Sequence, residues 1–149
     1  MTKFYNLLFS KQQEKEAVPS NEVIAGWAHK IVCLLFPELS KVVYKSASEI
    51  ESEFNDLRRE LVQIIDATTA CSDCNTENVA KKFFDELPEL HRVLTTDIHS
   101  ILNGDPAAKT EFEVIRAYPG FFALCFYRIA HELVNLDVSL LPRILTEFA

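Results

Sequence analysis

Apolar residues recur along this chain with the period of an α-helix. After a polar, proline-containing arm to about Ser20, read as flexible, Val23, Trp27, Ile31, Leu34 and Leu35 fall at the spacing of one helical face. Asn21 can cap this helix and Pro37 ends it. Ile50, Phe54, Leu57, Leu61, Ile64 and Ile65 then form an apolar stripe opposite charged positions, which predicts an amphipathic surface helix. The "TTACSDCNT" stretch has loop composition, and Asn75 or Thr76 can begin the next helix. From Val79 through Phe83, Phe84, Leu87, Leu90, Leu94, Ile98, Ile101 and Leu102 the helical spacing continues to Asn103-Gly104. Pro88 either kinks this stretch or opens a new helix, and Gly104 is a natural left-handed stop.

Thr110 with Glu113 makes a capping box for "EFEVIRAY", and Pro119-Gly120 separates that short helix from "FFALCFYRIAHELVNL". The latter is apolar almost all round and is expected to be the central buried helix. The final segment, "VSLLPRILTEFA", presents Leu140, Leu141, Ile144, Leu145 and Phe148 with no cap after them, so the chain is expected to be cut from something longer. No strand-like alternation and no internal repeat interrupts the pattern. The prediction is an all-α fold of roughly six to eight helices, one helical domain over residues 1–149 with 1–20 as its arm.

Composition narrows the function classes. With 149 residues, 48% hydrophobic and 25% charged, the chain can bury a real core. Its formal charge of −7, with both signs mixed throughout, leaves no basic stripe to neutralise phosphates, so nucleic acid is not an expected partner. The N-terminal apolar run, broken by Asn6, is too short for a signal core or a membrane span, and a cytoplasmic protein without membrane contact is expected. Three glycines, Gly26, Gly104 and Gly120, do not make a phosphate-cradling loop.

Four cysteines and four histidines are the next candidates. Cys71 and Cys74 form "CSDC" without a second ligand pair for zinc and without the strand that precedes a thioredoxin-type motif, and are read as two thiols in a polar connection. Cys33 and Cys125 lie among aliphatic and aromatic residues and read as small core residues. His29, His91, His99 and His131 show no metal-binding spacing and no assignable nucleophile, and are read as structural. Asp105, between Gly104 and Pro106, is expected to be an N-cap with Pro106 at the first helical position. A carboxylate on such a corner is also placed to bind a substrate ammonium.

The stretch "GDPAAKTEFEVIRAYPGFFALCFYRIAHEL" followed by "LLPRILTEFA" resembles the N-terminal helical domain of bacterial serine O-acetyltransferase, in the long-N-terminus form where these pieces read DPAA, EVI, YPG, YRIAHEL and PRI-x-E. The likeness is close over about Asp97 to Ala149, looser over Glu77 to Thr96, and before that rests on helicity. It implies transfer of acetyl from acetyl-CoA to L-serine to give O-acetylserine for cysteine biosynthesis, with L-cysteine inhibiting at the serine site. It also implies that the helical domain joins copies into a homo-oligomer. The catalytic His, the acetyl-CoA groove and the C-terminal tail that docks cysteine synthase belong, by the resemblance, to a left-handed β-helix outside these residues. No cofactor is therefore expected on this part of the enzyme, and it is expected to be inactive alone.

Carried residue by residue, the resemblance assigns Asp105 to the amino group of serine or cysteine. Asp97 matches a family Asp eight positions earlier, with no role to transfer. Tyr127, Arg128 and His131 match a motif whose place on an apolar helix implies packing and internal hydrogen bonds. No residue here is assigned to catalysis or to a metal. The alternative from another class is a stand-alone helical interaction module that performs no chemistry.

Overall fold

Eight α-helices carry the chain in the computed structural model, which describes residues 1–15, 18–71 and 73–149: α1 (Thr2–Glu14), α2 (Asn21–Leu35), α3 (Ala47–Thr68), α4 (Thr76–Asp85), α5 (Leu87–Gly104), α6 (Glu111–Ala117), α7 (Pro119–Asn135) and α8 (Leu141–Thr146). No strand occurs among the described residues, as the 3.6-residue periodicity predicts. The N-terminal arm departs from expectation: Thr2–Glu14 is helical, although it buries none of its side chains. Glu16 and Ala17 of that arm, and Ser72 of "CSDC", lie outside the described residues.

Helix starts follow side-chain capping. Ser20, Ser46, Asn75 and Thr110 each accept the backbone N–H three residues on, at 3.1–3.2 Å. Ser20 therefore does what Asn21 was expected to do. In two of these caps a glutamate reaches back, Glu49 to the N–H of Lys45 at 2.8 Å and Glu113 to that of Lys109 at 3.1 Å, so the predicted Thr110–Glu113 box forms one residue wider than usual. Pro88 and Pro119 occupy first turns, where a missing N–H costs nothing. Pro88 thus opens α5 and does not kink a longer helix.

Helix ends were harder to foresee. Gly104 has no positive φ; the left-handed residues among the described ones are Thr69, Asp137 and Leu140. At the end of α3, Thr69 N–H bonds the carbonyl of Asp66 and Ala70 N–H that of Ile65. At the end of α7, Asp137 and Val138 do the same with Val134 and Leu133. Both are Schellman closures with a non-glycine residue in the left-handed position. Ala70 and Val138, the residues that follow, are both buried. Ser139 ties the two ends together, since its N–H and its hydroxyl each donate to the Ala70 carbonyl at 2.9 Å.

The core is continuous. Trp27 on α2 is 1% exposed and donates its indole N–H to the Leu57 carbonyl of α3 at 2.9 Å, satisfying a polar atom the core would otherwise strand. α7 packs against α2, α5, α6 and α8, so its central position is as expected. It is not buried all round: Phe121, Cys125, Phe126, Ile129, Ala130 and Leu133 face inward, whereas Tyr127 and Val134 are half exposed. Cys71 and Cys74 are joined in a disulfide with Cα atoms 5.8 Å apart, which corrects their reading as two separate thiols.

Thr69 is β-branched, and its left-handed conformation carries a penalty glycine does not have. Thr69→Gly should stabilise the protein by about 0.5–1 kcal/mol, the removed strain being partly offset by the freer unfolded chain. Denaturant unfolding would show this as a higher midpoint at unchanged slope. An unchanged or lower midpoint would count against strain at this end.

Candidate functional site

Pro106 explains the geometry of Asp105. A residue before proline is pushed out of the helical region, and Asp105 is extended at φ −117°, ψ 110°, where α5 stops. Its N–H still donates to Ile101 at 2.9 Å, while its carbonyl accepts Ala108 N–H at 3.1 Å across a turn with Pro106 at the second position. One carboxylate oxygen, Oδ1, accepts Ala107 N–H at 2.9 Å, an Asx-turn. Asp105 is thus no N-cap of a helix at Pro106, since residues 106–110 form a turn and an irregular connection. The capping residue is Thr110, too close for another helix to fit between.

The other carboxylate oxygen meets a partner thirteen residues away: the Tyr118 hydroxyl donates to Asp105 Oδ2 at 2.9 Å. Tyr118 also precedes a proline and is extended, at φ −97°, ψ 107°. Both side chains are half-buried. Hydrogen bonding to the Asp105 carboxylate, then burial, raises the Tyr118 phenol above its ordinary value of 10.0. Tyr118 is the member of this corner that sequence reasoning missed, although it stands in the "YPG" it had singled out.

Below the corner, Arg128 of α7 clamps Asp97 of α5 with a two-pronged contact, Nε to Oδ2 at 2.6 Å and Nη2 to Oδ1 at 2.9 Å. Asp97 holds the guanidinium above its ordinary range. The Cys125 thiol beside them is pushed up to about 12, first by burial and then by the Asp97 charge, so it stays protonated and inert at neutral pH. His131 stacks on Tyr127 and His91 on Phe36, with ring centroids 6.0 and 5.3 Å apart, and His29 lies 5.9 Å from Phe122. His99 differs: its Nε2 stands 2.7 Å from Glu111 Oε1, though more than half of each side chain is exposed. Among the described residues no three His, Cys, Asp or Glu side chains converge to hold a metal ion, and no helix is long and apolar enough to cross a membrane. A concavity of about 630 Å³ lined by Leu35, Ile50, Phe54, Phe84, Leu87 and His91 does not include Asp105.

These features define an all-helical domain whose α5–α6 turn presents one carboxylate braced at both oxygens. No protein-family profile matches the chain. The plasmid serine acetyltransferase of Synechococcus elongatus is 32% identical over 148 aligned positions, covering 87% of this chain and 46% of that protein. Serine acetyltransferase from Bacillus subtilis is 39% identical over 56 positions, 38% of this chain and 26% of that one. Among solved structures, serine acetyltransferase 1 of Entamoeba histolytica in complex with L-cysteine superposes with a TM-score of 0.67 at 30% identity, over 83% of this chain and 45% of that one. The native form of that enzyme gives 0.58 at 25% identity. The chain is a homologue of the serine acetyltransferases, with the fold of their N-terminal helical domain, and spans about half the length of the relatives it matches.

Two substitutions test the geometry. Asp97→Ala removes the clamp and leaves a half-shielded guanidinium without its fork, which should cost about 2 kcal/mol of stability in denaturant titration. Tyr118→Phe should delete one late-ionising phenol from the absorbance titration. Because the folded value is raised, the Tyr118–Asp105 contribution is complete below pH 10.0 and is lost as pH rises through that higher value. If the phenol that disappears is one that ionises at the ordinary value, the bond does not form in solution.

Proposed function

We propose that this chain is the substrate-binding and assembly part of a serine acetyltransferase, which moves an acetyl group from acetyl-CoA to the hydroxyl of L-serine. The observation that carries this is the braced Asp105 carboxylate, in a chain similar to serine acetyltransferases over most of its length. A carboxylate offers about four lone-pair positions. Ala107 and Tyr118 take two and fix the group's orientation, leaving the others for the ammonium of serine, or of cysteine bound in its place. Because the turn holds the carboxylate before substrate arrives, little ordering remains to oppose binding.

The chemistry is direct acyl transfer. A general base takes the serine hydroxyl proton as that oxygen attacks the thioester carbonyl, and the CoA thiolate leaves. In this reading other residues of the enzyme supply that base and the acetyl-CoA site; in support, His29, His91 and His131 rest against aromatic rings, and the side chains of His99 and Glu111 are more than half exposed. Acetyl transfer by the chain alone, detected as CoA thiol release requiring both substrates, would overturn this and point to His99.

Asp105→Asn in the full-length enzyme separates substrate binding from folding. Asn keeps an oxygen to accept the Ala107 N–H, and its NH2, standing where Oδ2 was, can donate to the Tyr118 hydroxyl oxygen with that bond reversed, so stability should change by no more than about 1 kcal/mol. Losing an anion opposite an ammonium costs about 2–5 kcal/mol in a site closed from water. The specificity constant for serine should fall accordingly and cysteine inhibition should weaken, while the KM for acetyl-CoA holds. Normal serine kinetics would make Asp105 a turn-former only.

The assembly role rests on apolar surface. Phe4, Leu7 and Leu8 share one face of α1 and are each 42–53% exposed. The chain should sediment as a symmetric dimer or larger oligomer. A monomer at high concentration would contradict self-association.

A further inference from the structure

The Cys71–Cys74 bridge has no part in the function proposed above, yet its surroundings are the most unusual in the fold. The two cysteines are three positions apart, so the bridge closes a very short loop and removes little entropy from the unfolded chain. It is a weak staple. Both cysteines are only partly buried, and a cleft of about 430 Å³ lined by Cys71, Cys74, Asp73, Asp137 and Ser139 opens beside them. A small thiol can therefore reach the sulfurs.

Every left-handed non-glycine residue among the described ones gathers here: Thr69 two positions before Cys71, and Asp137 and Leu140 flanking the segment that pairs with it. Leu140, at φ 61° and ψ −57°, is the centre of a strained γ-turn closed by Leu141 N–H to Ser139 O. The two bonds from Ser139 to the Ala70 carbonyl hold that turn against the residue next to Cys71. α8 begins at once afterwards.

We propose that Cys71–Cys74 is a reversible thiol–disulfide exchange site whose oxidation state sets how firmly the α7–α8 turn is held on the end of α3. The reductant is a small dithiol, and the reverse reaction takes a small disulfide as oxidant. A thiolate of the dithiol attacks Cys71 Sγ, forming a mixed disulfide. The Cys71–Cys74 bond breaks and its electron pair leaves on Cys74 Sγ, which then takes a proton. Cys74 is the better leaving group because it immediately precedes Asn75, the cap of the ten-residue α4, where helix N–H groups favour a thiolate. The second thiol of the reagent displaces Cys71, closing the reagent's own disulfide. Two electrons and two protons have then passed to the protein. With the bridge open, Ala70 and Cys71 lose a restraint, and the strained turn resting on Ala70 relaxes.

The test is a redox titration of the whole chain with dithiothreitol and its cyclic disulfide, without denaturant. Acid quench, alkylation and peptide mass spectrometry read the cysteines, with buried Cys125 as the internal reference. Cys71 and Cys74 should convert together and reversibly at unchanged helical content. Amide exchange at Ser139 should speed up roughly tenfold or more on reduction. A Cys71→Ser, Cys74→Ser double variant should show the fast exchange without any reductant. The proposal is overturned if the bridge resists excess dithiothreitol until the protein unfolds, or if the two thiols stay unbridged in the cyclic disulfide. It is equally overturned if Ser139 exchange is the same in both states.

Discussion

The two-pronged contact between Asp97 and Arg128 fixes α5 against α7, and the candidate site depends on that register. Helix–helix packing through aliphatic side chains tolerates small sliding, because neighbouring ridges and grooves are nearly equivalent. A planar guanidinium on a carboxylate is not so tolerant, since shifting either helix by one residue breaks both bonds. The helices run antiparallel, so fixing their middles also fixes their ends. At one end α5 gives way to Asp105 and α7 begins from Tyr118, and the two side chains meet.

That meeting also has a local cause. Asp105 and Tyr118 each precede a proline, and each is extended because a pre-proline residue avoids the helical region. One proline ends a helix and the other starts one. A carboxylate braced by a turn N–H and a phenol therefore results from two backbone constraints and one ion pair. Little of its positioning is left to side-chain freedom.

Much of this was legible in the residues. Helical period located the helices from α2 to α7, and the Thr110–Glu113 pattern marked where α6 starts, because those signals come from contacts three or four residues apart. The errors came where two local rules competed. Asp-Pro fits an N-cap or an Asx-turn equally well, and the outcome was decided by Thr110, whose own cap leaves no room for a helix between. Gly104 suggested a left-handed stop, but Pro106 ended α5 by making Asp105 extended. The left-handed closures of α3 and α7 use Thr69 and Asp137, residue types that do not mark such a position in a sequence as glycine does. Tyr118 could not be tied to Asp105 from spacing, since thirteen residues and a whole helix separate them. Asp97 and Arg128 are further apart still, and their pairing belongs to the packing. α1 was missed because a helix that buries no side chain has no tertiary pattern to write into its sequence.

Strain is distributed unevenly, and the division separates two kinds of corner. Around Asp105 every backbone conformation is an ordinary one: extended residues before prolines, a turn, and a capped helix. Such a corner has no alternative to relax into, which suits a group that must hold one orientation before its ligand arrives. Around Ala70 and Ser139 three residues sit in a region that side chains disfavour, kept there by the closures of α3 and α7 and by the two bonds on one carbonyl. A conformation maintained by its neighbours is sensitive to any one of them. The first corner is therefore built to stay as it is, while the second holds the positive-φ residues and stands directly before α8.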